Sequence, residues 1–271
     1  MIIHTFPLPE LVPEDARFDV SLCIDVLRAT TVFVTAKRQG VREIIPCLTV
    51  DEARQRSAEF ATTYPDTPWC LGGERKGLRI DGFDLANSPR EYTREAVGGR
   101  VLFFTTTNGT RALRRATGLT VPVCFLNARE EVQAILTRAQ DSPELAVGII
   151  CAGTDGFYTD EDLLLAGCLV ELLHRGLAAR GGPAPTLNGE STSVWGRWQD
   201  FVAAVPGSAY PWETGRGDSG GDGAIGNVVF RRALLRRLRK SRGGSNLVAL
   251  GLGQDIEFAV GLQEPDKENP A

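Results

Sequence analysis

Short apolar runs alternate with longer helical patterns along the first 150 residues of the chain. The six runs that we predict to be strands are Val20–Val26, Val41–Cys47, Trp69–Leu71, Val101–Thr105, Val121–Leu126 and Leu145–Cys151. Continuous apolar runs of this kind are typical of strands that are buried on both faces. The alternation therefore predicts an α/β fold with layered α/β/α architecture, in which helices cover both faces of a mainly parallel or mixed sheet.

Two of the intervening helices have clear start signals. Thr49-Val-Asp-Glu52 is a capping box, and it predicts a helix that extends to about Phe60. The acidic run Asp160-Glu-Asp162 precedes a long apolar stripe, as expected where carboxylates face the positive end of a helix dipole. Both helices belong to a main catalytic α/β region that we assign to residues 1–180.

The pattern weakens beyond residue 180. We predict that residues 181–271 form a C-terminal α/β region that packs on the main region and can constitute a smaller subdomain. Within it, Ser191–Val205 and Val228–Arg242 have helical patterns, residues 206–227 read as a flexible Gly-rich loop, and Leu247–Leu262 has strand-like apolar character.

Composition and charge narrow the functional classes. The 271 residues are 42% hydrophobic and 24% charged, which fits one large globular domain or two modest ones. A net charge of −4 argues against nucleic acid and anionic membranes as partners. We find no secretory leader or membrane-spanning run and no paired cysteine spacing, so we expect a cytoplasmic protein with reduced thiols. A homo-oligomer is compatible with the sequence.

The segment Leu71–Pro89 stands out because it combines glycines, both signs of charge and an Asn-Ser-Pro turn without helical or strand periodicity. Ordering such a loop costs about 1–2 kcal/mol of backbone entropy per residue and buries little apolar surface. Long structureless loops in compact domains usually have a function. We therefore interpret Leu71–Pro89 as part of a site.

Polar residues also collect where the predicted strands end, which is where parallel sheets bind ligands. Thr105–Arg111 has the composition of an anion cradle, although the same residues are common at a capped helix start. Asp25 follows the first predicted strand and is either a metal ligand, a nucleophile or a plain N-cap. Asn127 and Asp155 follow the fifth and sixth predicted strands.

Carboxylates provide a second signal, because several of them fall in these junctions or in the Leu71–Pro89 loop close to Arg and Lys. Hard oxygen ligands beside basic side chains suit a magnesium-assisted phosphoryl reaction. Glu161 and Asp162 are equally compatible with favouring a helix dipole. The chain has only two histidines, and neither lies in a polar cluster, which argues against Ser-His-Asp hydrolases and His-based phosphatases. These observations alone indicate a metal-assisted enzyme for a small anionic substrate.

Five motifs in the same order make the chain resemble the 2-phosphosulfolactate phosphatase family. They are Ile24-Asp-Val-Leu-Arg-Ala-Thr-Thr31, Gly72-Gly-Glu-Arg-Lys-Gly77, Gly82-Phe-Asp-Leu-Ala-Asn-Ser-Pro89, Thr106-Thr-Asn-Gly-Thr-Arg111, and Cys151-Ala-Gly-Thr with Glu161-Asp-Leu-Leu-Leu-Ala-Gly167. The resemblance covers about residues 20–173, with a weaker echo at Leu250–Phe258. Where the family tends to have a His-Gly-Arg-like segment, this chain has Gly243-Gly-Ser-Asn246.

The resemblance implies a Mg²⁺-dependent acid phosphomonoesterase that converts 2-phospho-3-sulfolactate to 3-sulfolactate and phosphate, a step toward coenzyme M. It also implies an α/β fold distinct from the common phosphatase folds. Two alternatives stay open. One is a phosphatase of another small phosphorylated hydroxy acid, and the other is a non-catalytic phosphometabolite-binding protein.

On this reading we assign roles to named residues. The predicted catalytic carboxylates are Asp25, Glu74, Asp84 and Glu161, and the predicted magnesium ligands are Asp25, Glu74, Asp84 and Asp162. The predicted substrate-binding residues are Arg28, Arg75, Lys76, Asn87, Ser88, Thr106, Asn108, Gly109, Thr110, Arg111 and Asn127. Lys76 or Arg79 is expected to bind the sulfonate, because a weakly basic anion needs fixed positive donors. The sequence leaves open whether water or Asp25 attacks the phosphorus.

Overall fold

The computed structural model describes residues 1–205 and 226–262, and the described strands form two sheets. The strands are β1 (Ile2–Phe6), β2 (Val20–Ile24), β3 (Glu43–Cys47), β4 (Trp69–Arg75), β5 (Leu78–Arg79), β6 (Val101–Thr105), β7 (Leu119–Val123), β8 (Ala146–Cys151) and β9 (Thr186–Leu187). The α-helices are α1 (Ala29–Arg38), α2 (Val50–Thr63), α3 (Arg94–Val97), α4 (Gly109–Arg115), α5 (Ala128–Asp141), α6 (Asp160–Ala179), α7 (Gly189–Ala203), α8 (Val228–Leu238), α9 (Arg242–Ala249) and α10 (Gly253–Ala259). Short 3-10 helices occupy Pro9–Leu11 and Pro89–Glu91.

The structure confirms the predicted α/β class, but the strands form two sheets instead of the predicted single sheet. Five parallel strands have the order β7-β2-β8-β1-β9. Four strands have the order β3-β6-β4-β5, in which β5 runs antiparallel and the others parallel. The chain leaves the first sheet after β2, builds the whole second sheet, and returns with β7. The second sheet is therefore an insertion within the first.

Apolar side chains on each sheet explain this division. The largest core cluster joins β2, β7 and β8 to α5, α6, α7 and α8, and it includes the fully buried Trp198 and Phe230. Separate clusters cover the second sheet, one of them with Phe33 of α1 against Phe104 of β6, whose ring centroids lie 4.9 Å apart. Each sheet thus has its own hydrophobic core.

Several local predictions agree with the structure. All six predicted strands and the helices after Thr49 and Thr159 are present, with ends shifted by a few residues. The Thr49 hydroxyl accepts a hydrogen bond from the Glu52 amide at 3.0 Å, and the Glu52 carboxylate accepts one from the Leu48 amide at 2.7 Å. The Thr49 half of the capping box therefore forms as predicted, whereas the Glu52 carboxylate binds the Leu48 amide instead of the Thr49 amide.

Other local predictions are wrong. Strand β1 was not expected, because Ile2–Phe6 is a short run interrupted by His4. The Leu71–Pro89 segment is not structureless: strand β4 extends to Arg75 and turns back into β5. A turn of two residues, Lys76 and Gly77, both with positive φ, joins these strands.

The C-terminal region is more helical than predicted. Among its described residues β9 is the one strand, and Leu247–Leu262 forms the end of α9 and the whole of α10 rather than a strand. The helix predicted for Val228–Arg242 ends at Leu238. Of the predicted Gly-rich loop at 206–227, residues 206–225 lie outside the described residues, and Asn227 caps α8 by accepting a hydrogen bond from the Phe230 amide. The domain boundary at residue 180 stays a prediction.

Two further features concern the chemical environment of the chain. All six cysteines are buried and none forms a disulfide. Burial raises the pKa of the Cys23 thiol to about 12, so this group stays protonated near neutral pH.

None of the helices within residues 1–205 and 226–262 has both the length and the apolarity needed to cross a bilayer.

Candidate active site

A cavity of about 800 Å³ lies where the carboxyl ends of strands from both sheets meet. Strand β2 leads into Asp25 and β8 leads to Asp155, whereas β4 and β6 of the second sheet bring Glu74 and Thr106. The predicted junctions at Asp25, Thr105–Arg111 and Asp155 therefore open onto one cavity, although two sheets rather than one carry them, and the junction at Asn127 does not. The lining residues are Asp25, Leu27, Arg28, Glu74, Arg75, Lys76, Gly77, Asn87, Thr106, Thr107, Asn108, Thr154, Asp155, Gly243, Asn246, Leu247, Ala249 and Leu250.

Asp25 lies at the start of α1 with only 6% of its surface exposed. Its Oδ1 accepts a hydrogen bond from the Ala29 amide at 3.2 Å, so Asp25 satisfies the first amide of α1 although Arg28, not Asp25, is the N-cap residue. A side-chain carbon at position 109 would lie 2.6 Å from Asp25 Oδ2, and this close approach requires Gly109. Burial, assisted by the nearby Glu74 and Glu161 charges, raises the pKa of Asp25 to about 7.

Glu74, at the carboxyl end of β4, is held by three hydrogen bonds. Its Oε1 accepts from the amide and the hydroxyl of Thr107, both at 2.9 Å, and its Oε2 accepts from the Gly77 amide at 2.7 Å. The carboxylate thereby joins the β4–β5 turn to the loop after β6. It is 6% exposed and faces the same cavity as Asp25.

Glu161 and Asp162 begin α6 behind the cavity wall and are not among its lining residues. Asp162 accepts hydrogen bonds from the Val26 and Gly153 amides, each at 3.0 Å, so it fixes the loops after β2 and β8. Burial raises the pKa of both carboxyl groups. Oε2 of Glu161 has no hydrogen-bond partner among the described residues.

Three cationic side chains line the cavity. Arg75 donates to the Glu74 carbonyl at 2.7 Å and to the Thr105 hydroxyl at 2.9 Å, and it forms no ion pair with the described residues. Lys76 is exposed at the β4–β5 turn. The Arg28 guanidinium, by contrast, is buried and paired with the carboxylate of Asp255. Arg75 and Lys76 are thus free to neutralise a bound anion.

Several residues predicted for the site are used elsewhere. Asp84 is exposed and its Oδ2 accepts a hydrogen bond from the Leu71 amide at 2.8 Å, so the structure does not place it with Asp25 and Glu74. Arg111 pairs with Glu10 on the surface instead of lining the cavity. Arg79 is also exposed, and it contacts the Asp84 carbonyl at 3.4 Å.

Three polar residues that were predicted to bind substrate instead form hydrogen bonds within the protein. Asn127 accepts a hydrogen bond from the Cys124 amide and donates one to the Pro122 carbonyl, which stabilises the start of α5. Thr110, in the first turn of α4, donates to the Thr106 carbonyl at 3.2 Å in the loop after β6. Ser88 donates to Asp255 at 2.7 Å. None of the three is among the residues that line the cavity.

Sequence reasoning missed one wall of the cavity, which α9 supplies through Gly243, Asn246 and Leu247. Thr107 was also missed, although it lies inside the predicted anion cradle. One signal pointed to this region, because the resemblance implies a departure from the family pattern at Gly243–Asn246. The helix was not predicted because two of these residues are glycines, which disfavour helices.

Few side chains of the cavity carry the oxygen donors that bind Mg²⁺. No group of three His, Cys, Asp or Glu side chains in residues 1–205 and 226–262 is arranged to hold a metal ion. Mg²⁺, however, is usually bound through one or two carboxylates, with waters and substrate phosphate completing the octahedron. Asp25 and Glu74 supply two carboxylates, and Asn87 adds a buried amide oxygen that lacks a hydrogen-bond partner in the described part of the chain. This donor set fits Mg²⁺.

Comparisons with known proteins identify the family of the chain. The sequence model of a family described as 2-phosphosulpholactate phosphatase matches residues 6–198. A relative from Symbiobacterium thermophilum, named probable 2-phosphosulfolactate phosphatase, is 36% identical over 92% of this chain and 89% of its own. Relatives of the same name are 37% identical in Prochlorococcus marinus, over 70% of this chain and 74% of theirs, and 42% identical in Caldanaerobacter subterraneus, over 55% and 59%. The chain therefore belongs to the 2-phosphosulpholactate phosphatase family.

Proposed function

We propose that this protein hydrolyses 2-phospho-3-sulfolactate to 3-sulfolactate and inorganic phosphate in a Mg²⁺-dependent reaction, a step toward coenzyme M. The observation that carries the proposal is the cavity between the two sheets, which Asp25 and Glu74 line together with Arg75 and Lys76. Carboxylates beside unpaired cations are the combination that metal-assisted phosphoryl transfer needs. The family match supports the same reaction.

In the proposed site Asp25, Glu74 and the amide oxygen of Asn87 hold the metal. When bound, Mg²⁺ neutralises negative charge on the phosphoryl oxygens. The Arg75 guanidinium binds the phosphoryl group, because its carbonyl and hydroxyl partners fix its orientation and leave its charge unpaired. Thr106 and Asn108 contribute further polar contacts from the loop after β6.

Two attacking groups fit this site. A water molecule can attack the phosphorus directly, or the Asp25 carboxylate can form an aspartyl-phosphate that water then hydrolyses. Borohydride reduction of the enzyme during turnover separates the two routes, because it converts an acyl-phosphate to an alcohol. A modified Asp25 supports the covalent route, and an unmodified Asp25 supports direct attack by water.

Release of phosphate from 2-phospho-3-sulfolactate, measured with and without Mg²⁺, tests the proposal. We expect turnover that a chelator abolishes and added Mg²⁺ restores. Glu74→Gln should lower kcat by about 10³-fold or more, because the carboxylate both holds the metal and fixes the Thr107 loop. Asp81→Asn, which removes an exposed carboxylate from the same segment, is the matched control. Turnover that persists in chelator would exclude the metal.

A second candidate is a phosphatase for another small phosphorylated hydroxy acid. The observation that favours it is the position of α9, which forms part of the cavity wall. It contains Gly243–Asn246, the segment at which the resemblance implies a departure from the family pattern. The substrate's organic part is expected to face this wall. A screen of phosphorylated three-carbon acids against the sulfonate compound separates the two candidates, and binding without turnover would indicate a phosphometabolite-binding protein.

We also propose that the protein works in the cytoplasm on a small phosphorylated substrate. The six unpaired and buried cysteines support a reducing compartment. The cavity volume of about 800 Å³ is within the range of small-molecule sites. The location can be tested by fractionating host cells and detecting the protein with a specific antibody.

A further inference from the structure

A buried network joins the cavity to the C-terminal helix α10. Arg28 Nη1 donates to Asp255 Oδ2 at 2.7 Å, and the two side chains are only 3% and 1% exposed. The other oxygen of Asp255 accepts a hydrogen bond from the Ser88 hydroxyl, also at 2.7 Å. Both oxygens of the Asp255 carboxylate therefore have a hydrogen-bond partner, and the Arg28 guanidinium has a carboxylate as its counter-charge.

Arg28 is fixed from a second direction. Its Nη2 donates to the Gly77 carbonyl at 2.9 Å, in the β4–β5 turn that also carries Lys76. A guanidinium has five N–H donors, so these two hydrogen bonds leave others for a ligand in the cavity that Arg28 lines. A fixed guanidinium matches the geometry of a phosphoryl group better than a mobile one.

A gain in folding stability alone does not explain why the Arg28–Asp255 ion pair is buried. Removing two charges from water costs free energy that their mutual attraction often only offsets, so buried ion pairs are frequently replaceable by apolar residues. Asp255 lies outside residues 6–198, which the family model matches. It reaches Arg28, which lines the cavity, because α10 packs against the short 3-10 helix that follows Ser88.

We infer that Asp255 is a positioning residue, which orients the Arg28 guanidinium for the phosphoryl group of the substrate. The inference rests on the proposed phosphatase function. Without Asp255 the guanidinium keeps its contact with Gly77 but loses its counter-charge, and it can then turn toward other acceptors. Misplacement of a binding group by about 1 Å can lower a rate on the order of 100-fold.

A double-mutant cycle of Asp255→Asn with Arg28→Ala tests the inference through kcat and KM for 2-phospho-3-sulfolactate. Each single variant is expected to lower kcat/KM by about 100-fold, and the double variant should be no worse than Arg28→Ala. This non-additivity follows if Asp255 acts through Arg28. Additive losses, or normal activity of Asp255→Asn, would overturn the inference.

Rescue by free guanidinium gives a readout that a merely structural role would not change. Guanidinium ion should restore part of the activity of Arg28→Ala, because Asp255 and the Gly77 carbonyl remain to hold it. It should not restore the double variant. Equal rescue of both variants would show that Asp255 does not hold the cation.

Two further variants control for folding. Ser88→Ala keeps the ion pair but releases one carboxylate oxygen, and we expect a loss of about 5- to 10-fold that disappears in the Arg28→Ala background. Glu257→Gln removes a carboxylate of the same helix that pairs with Arg239 at the surface, and it should leave activity unchanged. If Asp255→Asn does not fold, the Ser88 cycle decides, and additive losses there would refute the inference.

The proposed function and the positioning role fail in different ways. Wild-type protein without turnover of any phosphomonoester would refute the function. Binding of inorganic phosphate, measured by calorimetry, then still tests the positioning role, because Asp255→Asn and Arg28→Ala should weaken it equally. Unchanged phosphate binding in Asp255→Asn beside weakened binding in Arg28→Ala would refute the positioning role alone.

Discussion

The carboxyl group of Asp25 lies in a buried position where a negative charge is unfavourable. Little of its surface is exposed, and the Glu74 and Glu161 carboxylates are close enough to raise its pKa further. A cation in the cavity would relieve this repulsion, as would a proton. The same residue should therefore limit the stability of the metal-free protein and support its activity.

The first prediction concerns the pH dependence of stability in chelator. The pKa of Asp25 is raised from 3.8 to about 7 in the folded state, so the unfolded state loses its proton first. Stability should fall as pH rises from about 4 to about 7. Asp25→Asn abolishes this loss and should be more stable than wild type by roughly 1–4 kcal/mol at pH 7.5, with a smaller difference at pH 4.5.

Urea unfolding of both proteins at the two pH values measures this difference. Added Mg²⁺ should stabilise wild type at pH 7.5 and have little effect on Asp25→Asn. A difference between the two proteins that does not grow with pH would contradict the assigned cause.

The second prediction concerns Lys76, which lines the cavity, and Arg79, which does not. Sequence reasoning could not choose between them as the ligand of a second anionic group. Lys76→Met should raise KM for 2-phospho-3-sulfolactate by about 10- to 100-fold with little change in kcat, because a charge-assisted contact contributes about 1.5–3 kcal/mol. Aryl phosphate, which lacks the second anion, should be hydrolysed as by wild type.

Arg79→Met is the matched control for Lys76→Met, because it removes an exposed cation from the same hairpin. Steady-state kinetics with both substrates should leave this variant unchanged. An equal loss on both substrates in Lys76→Met would instead assign the lysine to the phosphoryl group.

At the scale of elements, α9 shows why part of the site could not be predicted. Its first turn contains Gly243 and Gly244, and glycine disfavours helices by about 1 kcal/mol relative to alanine. Both glycines are required by tertiary packing. A side-chain carbon would lie 2.1 Å from Glu161 Oε1 at position 243 and 1.8 Å from the Leu238 carbonyl at position 244. Local propensity therefore opposes an element that long-range contacts stabilise.

Helix α10 was not predicted because the spacing of its apolar residues was interpreted as that of a strand. The apolar residues of Leu247–Leu262 were read as a strand, but Ile256, Ala259 and Val260 are buried at the i, i+3 and i+4 spacing of a helix. By contrast, β2 and β6 were predictable because every residue in them is buried and all but Ser21 and Thr105 are apolar.

The third prediction tests the contact between α9 and α6. Gly243→Ala places a methyl group against the buried Glu161 carboxylate, so either α9 or α6 must move. We expect a loss of about 1–3 kcal/mol in the free energy of unfolding and a clear loss of activity, because α9 is a wall of the cavity. Thermal unfolding and phosphate release measure the two effects.

Gly196→Ala is the control for this substitution. Gly196 lies inside α7, and a side-chain carbon there would meet no atom within 4 Å. Alanine should stabilise that helix by up to about 1 kcal/mol and leave activity unchanged. Full activity of Gly243→Ala would show that α9 does not need its close contact with Glu161.

At the scale of the whole molecule, the cavity depends on bringing two sheets and the C-terminal helices together. The sequence indicated which junctions carry polar residues, because each follows an apolar strand. It could not indicate that β3 to β6 form a separate sheet, since strand pairing depends on contacts between residues far apart in the chain. The surviving site residues, such as Asp25 and Glu74, were predicted from local motifs, whereas Asp255 required the tertiary structure.

The last prediction follows from this assembly. A ligand that occupies the cavity contacts segments from both sheets and from α9, so it should slow amide hydrogen exchange in all of them together. The segments are residues 24–31, 73–79, 105–109 and 242–250. With inorganic phosphate and Mg²⁺ as the probe, exchange measured by mass spectrometry should slow in these four regions. Residues 130–141 of α5, which lie outside the cavity, provide the internal control. Protection confined to 73–79 and 105–109 would mean that the ligand binds the second sheet alone, and the proposed site between the sheets would then be wrong.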